Sequence, residues 1–141
     1  MMMMKDDLEQ LLRLLHLRKV TELWDESVKK AEKEGLSYNA FLTRLLRAEW
    51  HYRQESRLAW RIKRARMPEQ WTLESFPYKR QPGISRKQIQ GFAELEFVGR
   101  AENIVFIGPT GVGKTGLALG LLLKAIQNGH RALFVRAQDL F

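Results

Sequence analysis

The sequence predicts an α + α/β fold: an N-terminal helical, basic region over residues 1–70, then, over 71–141, the first β-α-β unit of an incomplete P-loop domain. Three observations predict it. Residues 108–115 read Gly108-Pro109-Thr110-Gly111-Val112-Gly113-Lys114-Thr115, a G-x-x-x-x-G-K-[ST] phosphate-loop pattern. Short apolar runs lie on either side of the loop and the apolar stretch that follows it. Before them, leucines and aromatics recur at helical spacing between recognisable caps and stops.

The helical region reads as follows. Leu8, Leu11, Leu12 and Leu15 form one face of a first helix, with Asp6, Asp7 and Glu9 in its opening turn. A second helix fits about 20–34 on the stripe Val20, Leu23, Trp24, Ser27, Val28 and Ala31, and Gly35 stops it. Ser37 is placed to cap a long helix over about 38–66, with Leu36 and Phe41 spaced for a hydrophobic staple. Phe41, Leu42, Leu45 and Leu46 supply its early apolar face, and Pro68 ends it near Met67. Residues 71–83, broken by Pro77 and Pro82, read as an extended linker. A helix capped by Ser85 then runs over 85–98, with Ile89, Phe92, Ala93 and Leu95 inward and Gly99 as its stop.

The phosphate loop follows. Asn103-Ile104-Val105-Phe106-Ile107 has the continuous apolar, β-branched character of a strand covered on both faces. Residues 116–126 read as a buried helix stopped by Asn128-Gly129, and Arg131-Ala132-Leu133-Phe134-Val135 as a second strand. From this composition the motif arises by chance on the order of 0.003 times. Gly108, Gly111 and Gly113 let the backbone N–H groups approach phosphate oxygens with no Cβ between. The helix N-terminus favours an anion. Lys114 is the cation for the β/γ-phosphates, and the Thr115 hydroxyl suits Mg²⁺. The expected ligand is therefore a nucleoside triphosphate with Mg²⁺. The alternative is a Gly-rich turn whose lysine is merely solvated.

Composition bounds the rest. The 141 residues carry a net charge of +8, and residues 41–66 hold eight Lys/Arg against Glu49 and Glu55, so this segment alone supplies +6. Arg53, Arg57, Arg61 and Arg64 fall on one side of the long helix, with Trp50, Tyr52 and Trp60 interleaved. Such a stripe suits the phosphates of duplex DNA, with salt-dependent binding and no reading of base sequence. Its alternatives are a solvated face or an interface to an acidic protein. No Cys excludes disulfides and thiolate metal sites and fits a reducing cytosol. No signal peptide follows Met1–Met4, and no apolar run reaches membrane length, so a cytoplasmic protein without membrane contact is expected.

Together these residues resemble the IstB family, ATP-binding helper proteins of a bacterial insertion-sequence class and relatives of the helicase loader DnaC. Ala31-Glu32-Lys33-Glu34-Gly35-Leu36-Ser37-Tyr38 with Phe41-Leu42 carries the likeness, as do Ala48-Glu49-Trp50 and Ala65-Arg66-Met67-Pro68. Thr72-Leu73-Glu74-Ser75-Phe76, the loop, and Arg131–Val135 with Ala137, Asp139 and Leu140 complete it, from about Leu8 to Phe141. The resemblance implies an AAA+ ATPase core that binds ATP and Mg²⁺. It also implies homo-oligomers that assemble on and deform DNA and recruit or stimulate a cognate transposase. By analogy Phe76 lies near the adenine, the alternative being core packing.

Two departures stand out. Gly116 occupies a position that is often His in the family. AAA+ cores also continue into an acidic Mg²⁺ site with a water-activating Glu, a polar sensor and an arginine finger, whereas 26 residues follow Thr115 here and Asp139 stands without an acidic neighbour. The chain is thus expected to be a truncated form with no catalytic residues and no steady ATP turnover. Ile104, Phe106, Leu133 and Val135 are expected to lack partners in so short a sheet. A DnaC-like helicase loader and a non-enzymatic DNA- or protein-interaction fragment remain the competing readings.

Overall fold

The computed structural model describes residues 2–141, with side chains from Asp6 onward. It divides into two compact units, Met1–Arg57 and Leu58–Phe141. The division falls inside the long helix, whereas the sequence places its boundary at 70/71.

The first unit holds α1 (Met2–Leu14), α2 (Arg18–Glu34) and α3 (Tyr38–Arg64) as far as Arg57. Leu12, Val20 and Leu45 form its buried core, with Leu8, Leu17, Leu23, Trp24 and Phe41 packed around them. Trp24 meets Phe41 edge to face at 5.6 Å between centroids. α2 ends as its sequence requires. Gly35 is left-handed at φ 63°. Its N–H donates to Glu32 O and that of Leu36 to Ala31 O, the paired closure that Gly makes possible just past a helix. Ser37 Oγ then accepts the Ala40 N–H at 3.2 Å and starts α3.

The start of α2 is closed from elsewhere. Leu17 precedes it and has no side chain to cap with. The Lys19 and Val20 N–H groups donate instead to Glu49 Oε2 on α3, at 2.7 and 3.1 Å. Glu49 is buried, and its Oε1 accepts from Arg53 Nε at 3.1 Å. Arg53 also donates to the carbonyl of His16, at the turn between α1 and α2, where φ is 56°. A buried carboxylate thus does the work of an N-cap, and three donors offset its desolvation.

The second unit holds the end of α3, a 3-10 turn at Tyr78–Arg80, α4 (Arg86–Ala93), α5 (Glu96–Gly99) and α6 (Lys114–Gln127). Its core is Leu73, Phe76, Ile89, Leu117 and Leu121, with Trp71, Ile84, Phe92, Ile104 and Phe106 against it. The segment expected to be a linker therefore packs. Its Leu73 and Phe76 are buried. Ser85 Oγ caps α4 by accepting the Gln88 N–H at 3.2 Å. The single helix expected over 85–98 is broken in two, because Leu95 turns left-handed at φ 62° and buries its side chain. α6 stops at Asn128-Gly129 as expected, with Gly129 at φ 91° and the His130 N–H on Ala125 O.

The expected β-α-β unit is not formed. Among the described residues there is no strand and no sheet, so the chain is helical with irregular connections. Residues 103–107 and 131–135 run outside any helix, with no ladder between them. A backbone bond of the second segment, Phe134 N–H to Ala65 O at 2.7 Å, goes instead to the residue that follows α3. The physical reason is that apolar, β-branched composition reports a preference for burial, whereas a strand exists only where a neighbour accepts its N–H and C=O groups. Nor is the first run covered on both faces. Ile104 and Phe106 pack inward, while Val105 and Ile107 stand 75% and 92% exposed.

Candidate phosphate-binding site

The loop at 108–115 leads directly into α6. Gly111 and Gly113 are left-handed, at φ 86° and 90°, the conformation for which Gly is the ordinary choice. Gly113 is the residue before the helix, and no side chain caps its N-terminus. The first-turn N–H groups and the positive end of the helix dipole are therefore offered to an anion. Lys114 Nζ donates to the loop's own carbonyls, Gly108 O at 2.5 Å and Pro109 O at 2.6 Å. Thr115, exposed at the second position of α6, presents a hydroxyl beside it. This donor set suits a polyphosphate, with Thr115 available to a phosphate-bound Mg²⁺. No separate cluster of three His, Asp or Glu forms a metal site among the described residues.

Behind the loop, three side chains of the 71–76 segment lie against Gly113 and two glycines of α6. A Cβ on Gly113 would come within 2.7 and 2.9 Å of the Phe76 ring, one on Gly116 within 3.2 Å of the Trp71 indole, and one on Gly120 within 2.7 Å of Leu73 Cδ2. Phe76 is thus a buried brace under the loop, in the core-packing role weighed against an adenine contact. Its ring meets Tyr78 edge-on at 5.0 Å. Burial holds the Tyr78 phenol above its ordinary pKa, with the Arg86 guanidinium opposing the shift and Glu74 adding to it. Gly116, the departure noted in the sequence, leaves the space into which the indole packs. Trp71 itself is fixed by its Nε1–H, which donates to Glu69 at 2.8 Å.

A family model for IstB-like ATP binding proteins matches residues 10–141. The chain belongs to that family. It is 42% identical over 129 residues to the IS21 insertion-sequence ATP-binding protein of Pseudomonas aeruginosa, covering 92% of this chain and 49% of that one. It is 35% identical to the IS5376 ATP-binding protein of Geobacillus stearothermophilus, over 97% of this chain and 55% of the relative. An IS21-like ATP-binding protein of Bacteroides fragilis is 29% identical over 97% of the chain and 69% of its own length. The chain thus spans about half the length of the first two relatives. No helix among the described residues is long and apolar enough to cross a membrane.

The four arginines of the basic stripe have different surroundings. In the first unit, Arg53 is committed to Glu49 and the His16 carbonyl, and Arg57 is exposed. In the second, an Arg61 Nη1 lies 3.9 Å from the place of a Cβ on Gly129, at the C-terminal end of α6, and Arg64 lies over the Trp60 ring at 4.7 Å. Sequence reasoning missed Glu49 as a cap and the pairing of Trp71 and Leu73 with glycines of α6. The i, i+4 spacing of Gly116 and Gly120, one turn apart in an otherwise leucine-rich helix, was the available signal for the second.

Proposed function

We propose that this chain binds ATP with Mg²⁺ at residues 108–115 and serves DNA transposition through nucleotide-dependent assembly on duplex DNA with a cognate transposase. The observation that carries the ATP reading is the uncapped N-terminus of α6, reached through left-handed Gly111 and Gly113 with Lys114 at its first position. Lys114 would hold the β/γ-phosphates, the loop N–H groups the phosphate oxygens, and Thr115 the metal. Exchanging two loop carbonyls for a phosphate costs the lysine little, because a charge-assisted bond to an anion is the stronger contact. The transposition role is supported by the relatives, which are insertion-sequence ATP-binding proteins, and by the basic segment at 41–66.

Calorimetric titration tests the site. ATP with Mg²⁺ binds the parent, and Lys114→Ala weakens it about 10- to 150-fold, the equivalent of one hydrogen bond to a charged group. Unchanged affinity in the variant overturns the assignment. Sedimentation with duplex DNA tests the assembly. Complexes that grow with ATP and shrink with salt are expected, and assembly indifferent to nucleotide removes that part of the reading.

A further inference from the structure

The end of α3 brings Arg64 of the stripe and the interleaved Trp60 together with side chains outside the stripe. Trp60, Lys63, Arg64, Arg66 and Leu133 line an open depression of about 650 Å³ in the second unit. Trp60 is 53% exposed and Leu133 is 55% exposed. Every charged residue in this lining is a cation. The Arg64 guanidinium lies over the indole at 4.7 Å from its centroid, a flat cationic surface laid on an aromatic one.

The backbone fixes this arrangement. Ala65 is fully buried, and its carbonyl accepts the Phe134 N–H at 2.7 Å, which brings residue 133 to the end of α3. Arg66 is left-handed at φ 54°, unusual for a residue with a Cβ. That turn ends the helix and sets Arg66 beside Lys63, to whose carbonyl its N–H donates at 3.4 Å. An exposed indole among three cations is a poor surface to leave to water alone, and its two chemistries call for one ligand that is both flat and polyanionic.

We propose that Trp60, Lys63, Arg64 and Arg66 form a binding site for single-stranded nucleic acid, one unpaired base stacking on the Trp60–Arg64 platform while Lys63 and Arg66 meet the flanking phosphates. Duplex DNA offers the phosphates but keeps the faces of its bases covered, whereas a single strand exposes both. An acidic peptide would satisfy the cations and leave the indole unused. The site rests on the reading that nucleic acid is the partner of the basic segment, and it adds that the strand must be open where it meets this end of α3.

The test uses the full 141-residue chain, a labelled oligothymidylate of about twelve nucleotides, within the range such sites cover, a duplex of the same length, and polyglutamate. Trp60→Ala is expected to weaken the single strand about 5- to 150-fold, as loss of one stacked base does, and to change duplex affinity less than about twofold. Lys63→Glu should weaken both and lower the salt slope for the single strand. Trp60→Phe, which keeps a stacking face, should retain most of the single-strand affinity and so separates stacking from misfolding. Equal losses on both nucleic acids, no loss with Trp60→Ala, or polyglutamate bound more tightly than the single strand each overturn the proposal. If the duplex binds with a salt slope while Trp60→Ala is silent, this inference alone fails. If neither nucleic acid binds, the DNA reading fails with it.

Discussion

Replacing Gly113 by alanine loads two separate strains onto one position. The residue sits at φ 90°, where an L side chain costs about 1–2 kcal/mol. The added Cβ would also lie 2.7 and 2.9 Å from two carbons of the Phe76 ring, and that ring is buried in the core of its unit. Overpacking of this kind costs about 1–3 kcal/mol, so Gly113→Ala should destabilise the second unit by about 2–5 kcal/mol. The strains are separable. In a Phe76→Leu background the distal ring carbons are gone, and the same glycine replacement should cost only its backbone part, about 1–2 kcal/mol. Urea titrations of the four proteins, followed by tryptophan fluorescence, give the coupling directly. ATP affinity should fall with Gly113→Ala in both backgrounds, because the left-handed turn shapes the loop whichever residue lies beneath it. A coupling energy near zero would show that Phe76 does not brace the loop. Full stability and full ATP affinity in Gly113→Ala would refute the whole account.

Other perturbations have equally definite outcomes. Glu49→Ala removes the acceptor for two α2 N–H groups and should cost about 3 kcal/mol at about 1.5 per amide; the Arg53 contact adds little, since that side chain is 43% exposed. Glu49→Gln keeps an acceptor oxygen and should cost about half as much, and urea midpoints that fail to separate the two variants would argue against the capping role. Gly116→His sets a ring against the Trp71 indole and should lose about 1–3 kcal/mol by overpacking, recovered in part by adding Trp71→Leu; a histidine variant as stable as the parent would mean that the indole is free to move. Thr115→Val should make ATP affinity insensitive to Mg²⁺ while leaving metal-free binding intact, which titration with and without chelator checks.

Helix ends were legible because their signals are local. Gly35, Ser37, Ser85 and Asn128-Gly129 each act on backbone groups within a few residues, so a short window contains the cause and its effect. The left-handed turn at Gly111 and Gly113 that leads into α6 was legible for the same reason: its glycines lie within a few residues of the helix start. What failed was non-local. The runs at 103–107 and 131–135 have strand composition, but a ladder needs a partner that composition does not name. The break at Leu95 was hidden because a leucine at φ 62° is held there by burial rather than by any propensity of its own. The partners of Arg53 were hidden as well: in the sequence it is one arginine of a stripe, and only the fold shows its guanidinium on Glu49 and the His16 carbonyl.

The carboxylate that closes the start of α2 comes from 29 to 30 residues further along the chain. On a ribosome this sets an order of events. When residues 18–35 first emerge, α2 has its glycine stop but lacks the acceptor for its first N–H groups, and an amphipathic helix draws most of its stability from tertiary packing. Only after Glu49 and Arg53 have cleared the exit tunnel can that end be closed and Val20 be buried against Leu45. The N-terminal unit should therefore gain protection from exchange in one late step rather than helix by helix, and nascent chains stalled before Glu49 emerges should remain open to proteolysis over α2.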